Sequence, residues 1–204
     1  MPPRLRLALS TTLLVAACAA TAAATASSER SRAAGPWCGG RLWRLETLSD
    51  GDRRSVELHA GATSIGAIAA LQGPDRITVR RDTAFQRQTW RLQTVVDRFR
   101  IASDGEIVLI LFSIDKGVYM NAYLPNPDCL SARTRDRTGI VAARAEFRSR
   151  CGPATWSWEL LGATVDIAGV GFWNPVRDTR GALPNGAELR PVTNLKVLSG
   201  CGVG

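Results

Sequence analysis

The chain has a single histidine, His59, among 204 residues, and nowhere are two cysteines spaced Cys-x-x-Cys. The usual zinc spacings of cysteine and histidine are therefore missing. So is a nucleophile–histidine pair of the kind hydrolases use, since His59 stands far from any pattern that would pair it. The longest apolar run, residues 7–20, falls short of the roughly 20 residues a helix needs to cross a bilayer. There is no internal repeat, and no low-complexity segment beyond the Ala-rich N-terminus, which leaves repeat architectures aside.

What is present begins with an export signal. Arg4 and Arg6 precede the apolar run, and small residues follow it. Two processing routes fit. Ala24-Thr25-Ala26 is a small-x-small cleavage site, giving a free secreted protein from about Ser27. Val15-Ala16-Ala17-Cys18 has the form of a lipobox, which would lipidate Cys18. Either route puts the protein outside the cytoplasm. Residues 1–26 are thus read as the signal, 27–36 as a disordered lead, and the rest of 27–89 as an N-terminal extension. The formal net charge of +8 is compatible with anionic partners. With Cys18 set aside, Cys38, Cys129, Cys151 and Cys201 form an even set in an oxidising compartment. Three pairings are possible; Cys38–Cys201 and Cys129–Cys151 are expected, closing the two ends and the helical connection.

Residues 90–124 organise the remainder. Trp90, Leu92, Thr94 and Val96 alternate with Arg91, Gln93 and Val95, the period of a half-buried strand. After Asp97-Arg98 the apolar positions are Phe99 and Ile101, so the phase moves by one residue. A β-bulge near Asp97-Arg98 absorbs that slip. Ser103-Asp104-Gly105 makes a turn, residues 107–112 a fully covered strand, and Asp115-Lys116-Gly117 a second turn. In the third strand Val118, Met120, Ala122 and Leu124 face the core, leaving Tyr119, Asn121 and Tyr123 on the other face.

Residues 139–150 read as a helix, with Ile140, Val141, Ala143 and Phe147 on one side and Arg148 and Arg150 where the dipole favours cations. Residues 158–173 are a fourth strand and 188–198 a fifth, joined by a long loop over 174–186. Glu188 and Arg190 share parity and are expected to face outward as an exposed pair. Upstream, residues 42–48 and 56–58 read as short strands, and 64–71 as a short helix capped by Thr63. Residues 75–88 read as loop. Three strands, a helix and two strands, with the first strand bulged, is the order of an OB-fold barrel. The fold class is therefore mainly β: a five-stranded OB-like barrel over residues 90–204, one helix between its strands 3 and 4, and an N-terminal α+β extension.

Four stretches carry a likeness to known sequences. They are Leu45-Glu46-Thr47-Leu48-Ser49-Asp50; Tyr123-Leu124-Pro125-Asn126-Pro127-Asp128-Cys129 leading to Ala142-Ala143-Arg144-Ala145-Glu146-Phe147; Gly169-Val170-Gly171-Phe172-Trp173; and Leu183-Pro184-Asn185-Gly186-Ala187-Glu188-Leu189-Arg190-Pro191-Val192. In these the chain resembles a family of exported bacterial proteins with no established activity. The resemblance implies the fold and export. Many relatives carry a histidine where this chain has Arg190, and a histidine-glycine-glutamine stretch where it has Asp178-Thr179-Arg180-Gly181. Any histidine chemistry of the relatives is thus not expected here.

The leading functional expectation is a non-catalytic, monomeric binding module without cofactor or metal. Tyr119, Asn121 and Tyr123 form its platform, Arg177 and Arg180 stand in the loop nearby, and an anionic polymer or a glycan is the ligand. One alternative is a metal-dependent, nuclease-like hydrolase in which Asp104, Glu106 and Asp115 cluster around a divalent cation. The other is a structural or interaction protein of the cell envelope.

Overall fold

The computed structural model describes residues 38–176 and 178–201. The signal, its two processing sites and the lead over 27–36 lie outside the described residues, as does Arg177. The meander is present as β2 (Gln88–Ile101), β3 (Ile107–Ser113) and β4 (Val118–Leu124), preceded by β1 (Glu57–Ala62) and followed by β5 (Glu159–Trp173) and β6 (Ala187–Ser199). Three helices, α1 (Trp43–Glu46), α2 (Ile65–Ala69) and α3 (Arg137–Cys151), complete the described elements with 3-10 turns at Arg53–Ser55, Phe85–Arg87 and Pro127–Cys129. No helix among the described residues is long and apolar enough to cross a membrane.

The molecule is mainly β. Its six strands run in the order β1-β2-β3-β4-β6-β5, and β2 also pairs with β5, so five of them trace a ring. The bulge expected near Asp97 lies between Val96 and Arg98, where β2 shifts register against both β3 and β5. The shift keeps the core continuous. Leu92 and Val96 point inward before it and Phe99 after it, where the ring meets Phe147 of α3 edge-on at 5.1 Å between centroids. Ile107, Leu109, Leu111, Met120, Ala122 and Leu124 supply the inward faces of β3 and β4. The Asp136 carboxylate caps α3 by accepting the Gly139 N–H at 3.3 Å, and Gly152, at φ 85°, ends the helix. Gly171 of β5 allows a close approach: a β-carbon there would overlap the Phe85 backbone.

Three local expectations change. Residues 42–48 form α1 and a turn instead of a strand. Leu42 and Leu45, three apart, present one apolar side to Phe172, while Leu48, at φ 52°, swings into a second cluster with Val56 and Val170. Alternation over so few residues fits a helical i, i+3 pair equally well. At α2 the cap is Ser64, not Thr63; its hydroxyl accepts the Ala67 N–H at 3.1 Å. Finally, β1 lies parallel to β2, so the N-terminal extension joins the sheet.

All four described cysteines are bridged, but with exchanged partners. Cys38 bonds Cys129 and Cys151 bonds Cys201, with Cα separations of 5.4 and 4.7 Å. The expected Cys129–Cys151 bridge is excluded by α3 itself, whose fifteen residues carry Cys151 about 22 Å from the helix start beside Cys129. That displacement brings Cys151 to the end of β6. Peptide mapping without reduction is expected to recover the 38–129 and 151–201 pairs. Opening the second, in a Cys151→Ser, Cys201→Ser variant, should cost about 4 kcal/mol on the chain-entropy picture, measured by urea unfolding.

Candidate functional site

The strand register carries residues across the outer face of the ring in rows. Arg98 of β2 sits between Leu160 of β5 and Ile110 of β3, and Ile110 is followed by Asn121 of β4. Beside that row Arg100 aligns with Val108 and then Tyr123, and on its other side Phe112 aligns with Tyr119. Tyr119, Asn121 and Tyr123 therefore share the outer face, as their spacing implied. They do not share an environment. Tyr119 is 42% exposed, whereas Asn121 and Tyr123 are 1% and 9% exposed.

The buried half is organised by Arg190 of β6. Its guanidinium pairs with the Glu106 carboxylate, stands 3.3 Å from Glu46 of α1 and 3.6 Å from Asp104, and lies over the Tyr123 ring at 4.3 Å from the centroid. Glu188 accepts from the Tyr123 hydroxyl at 3.3 Å and from the Asn174 amide at 3.0 Å. Over Asn121 the chain passes at Gly181, whose φ of 80° and contact with the Asn121 amide oxygen leave no room for a β-carbon. Glu188 and Arg190 do face the same way, but that way is covered by α1 and the loop after β5. The expected exposed pair is thus two buried groups with different partners. Burial is the reason: an ion in a dry site must find hydrogen-bonding partners, and here they come from four separate elements.

The charges in this cluster do not balance. Glu46, Asp104, Glu106 and Glu188 surround one guanidinium. Burial pushes Glu106 up to about 8 against the pull of Arg190, and pushes Glu188 up to about 7 against Arg190 and the amide and hydroxyl donors around it. Burial also raises Glu46, although Arg190 pulls it down. The Tyr123 hydroxyl is pushed well up by burial and by Glu188, so it stays a donor.

The open half holds different residues. A cleft of about 250 Å³ is lined by Asp97, Arg98, Ile110, Tyr119, Arg180 and Gly181. Tyr119 leans on Phe112 with 4.7 Å between centroids, and Arg98 donates to its neighbour Asp97 at 3.1 Å. Further along the face the Arg100 guanidinium covers the Trp158 ring at 4.9 Å, and Leu160 is 70% exposed. Arg98, Arg100, Trp158 and Leu160 were not singled out from the sequence. The bulge held the signal for the arginines, because moving the phase at Asp97 turns both outward.

The three acids of the hydrolase alternative are not together. Asp104 and Glu106 turn to Arg190, while Asp115 accepts from Ser113 at the far end of β3, about 23 Å of strand away. Among the described residues no group of three or more His, Cys, Asp or Glu is placed to hold a metal ion. His59 lies exposed on β1. The chain matches no protein family and no curated protein sequence.

Two measurements test the buried cluster. Arg190→Ala removes the cation beside Glu106 and should cost about 3–5 kcal/mol in urea unfolding at pH 8.5, where Glu106 is ionised. Glu106 and Glu188 keep their protons in the folded chain at pH values where the unfolded chain, near the ordinary 4.5, has released them. Their contribution to stability is therefore full below 4.5 and lost as pH rises through about 7 and 8. The protein should be more stable near pH 5.5 than near pH 8.5, and Glu188→Gln should flatten that slope.

Proposed function

We propose that this chain is an extracytoplasmic, non-catalytic binding module on a five-stranded OB-like barrel, and that its ligand is an anionic polymer with ring-shaped units, an anionic glycan foremost. The ring order of β2, β3, β4, β6 and β5, with α3 between β4 and β5, supports the barrel. Two disulfides support a place outside the cytoplasm.

The observation that carries the ligand reading is the open half of the outer face. It places an exposed tyrosine ring and the guanidinium-capped Trp158 on the same surface as Arg98, Arg100 and Arg180. Rings supply stacking area of about 1–3 kcal/mol each against a base, and a sugar ring presents a comparable flat, C–H-rich side. Guanidinium groups bind carboxylate, sulfate or phosphate through a planar fork of donors. Asn121 and Tyr123 serve this site from below, holding β4 against Glu188 and Arg190, and do not touch the ligand.

Titration with a uronic-acid oligosaccharide, and with a single-stranded oligonucleotide beside it, tests the reading. A Tyr119→Ser, Arg98→Ala variant should bind the true ligand at least tenfold more weakly, about 1.4 kcal/mol, with its unfolding midpoint nearly unchanged. Affinity should fall with added salt, and less steeply for the variant. Full binding by the variant refutes the site; binding by neither polymer refutes the ligand class.

A further inference from the structure

One acid stands among the arginines of the open half, and an anionic ligand by itself gives it nothing to do. Its place comes from the bulge. Before the bulge the outward residues of β2 are odd-numbered, Arg91, Gln93 and Val95; after it they are even-numbered, Arg98 and Arg100. Asp97 ends the odd series and Arg98 begins the even one. Two successive side chains therefore share one face, which a regular strand does not allow. The Arg98 and Asp97 side chains are 34% and 31% exposed. Arg98 Nε donates to Asp97 Oδ2 at 3.1 Å, while Oδ1 takes no hydrogen bond from the described residues.

Both side chains line the 250 Å³ cleft with Tyr119, Arg180 and Gly181. That volume is below the roughly 300–1,000 Å³ of sites for drug-sized ligands, so the cleft takes one ring unit of a polymer. Ile110 lies buried beneath it and adds no charge. The charged groups are thus two guanidiniums, Arg98 and Arg180, and one carboxylate. In a site for anions alone that carboxylate is a liability, because it repels whatever the arginines attract. It becomes useful where the ligand also brings O–H donors, since an ionised carboxylate accepts hydrogen bonds and donates none. Orienting Arg98 occupies only one of its two oxygens.

We infer that Asp97 is a specificity-determining residue of the proposed polymer site. Its carboxylate accepts hydroxyl groups of a sugar-acid unit whose own carboxylate lies on Arg98 and Arg180, with the ring against Tyr119. The role presupposes that this face binds a polymer at all, as proposed above. It narrows the ligand to a polyuronate with free hydroxyls. DNA is turned away, because each unit within the strand carries a phosphate and no free sugar hydroxyl to offer Asp97 in return.

The test is calorimetric titration of the whole chain, wild type and Asp97→Ala, with a galacturonic-acid tetramer and with an oligothymidylate DNA of equal charge. The wild type should bind the tetramer at least tenfold more tightly than the DNA. Removing a negative charge strengthens anion binding where charge is all the residue contributes, so the sign of the change decides. Asp97→Ala should bind the tetramer at least tenfold more weakly, and the DNA no more weakly than the wild type does. A tetramer acetylated on its free hydroxyls should bind to the variant at least as tightly as to the wild type. Four results overturn the inference. Tighter binding of both ligands by the variant leaves Asp97 a repelling charge only, and equal weakening of both makes it a support for Arg98. No change with either ligand removes Asp97 from the site, and a wild-type preference for DNA reverses the specificity. Binding of neither polymer by the wild type is a separate outcome, which removes the polymer site itself and this role with it.

Discussion

Taking the Arg190 guanidinium out of water is the constraint to which the outer face of this protein answers. A buried cation is tolerated only where its donors are used and its charge is met. Glu106, the residue just before β3, pairs with it directly, with Glu46 of α1 and Asp104 of the β2–β3 turn close by. The Tyr123 ring of β4 lies beneath it. One side chain therefore ties α1, the first turn of the meander, β3 and β4 to β6. The parallel contact of β4 with β6 is short, with Ala122↔Leu189 its single register pair, so the backbone alone joins these two strands weakly. The ring closes there through side chains.

That closure divides the face. Where Arg190, Glu188, Tyr123 and Asn121 interlock, the protein covers its own sheet with α1 and the loop at Gly181. Where the interlock ends, Tyr119, Arg98, Arg100 and Arg180 remain in reach of solvent. The proposed binding surface and the structural network are thus neighbours on one strand, two residues apart. Fixing Asn121 fixes the pleat that presents Tyr119, so a rigid platform needs no support from its ligand.

Parity along strands was legible in the sequence, and coverage was not. Alternation put Tyr119, Asn121 and Tyr123 on one face and Glu188 with Arg190 on one face, and both statements hold. What lies over a face is decided by distant segments, so the same alternation could not separate an exposed Tyr119 from a buried Tyr123. The bulge was legible because a phase shift is local. Its consequence for Arg98 and Arg100 followed from the same residues and went unread. Cysteine pairing failed for a geometric reason: counting assigns partners by chain logic, whereas α3 carries Cys151 away from Cys129 by its length. At residues 42–48 the difficulty was shortness, since Leu42, Leu45 and Leu48 satisfy a helical repeat while Trp43, Leu45 and Thr47 satisfy an extended one.

The covered half is also held from behind. Arg81 donates to Asp50 at 2.8 and 3.2 Å, to the Leu45 carbonyl at 2.8 Å and to the Gln86 carbonyl at 3.1 Å, with its side chain wholly buried. It clamps the turn after α1 to the segment that enters β2, while Cys38–Cys129 fastens the start of the α1 segment to the exit of β4. A segment held at both ends and paired through Glu46 in the middle is a wall and not a lid. The open half therefore has a fixed boundary. From Leu160 of β5 to β4, where Tyr119 stands one row over, it crosses three strand spacings, about 14 Å, which is longer than a single sugar or base ring. An occupant that touches both ends of that span must be a chain of units, and this is why the proposed ligand is an oligomer and not a free monosaccharide or nucleotide.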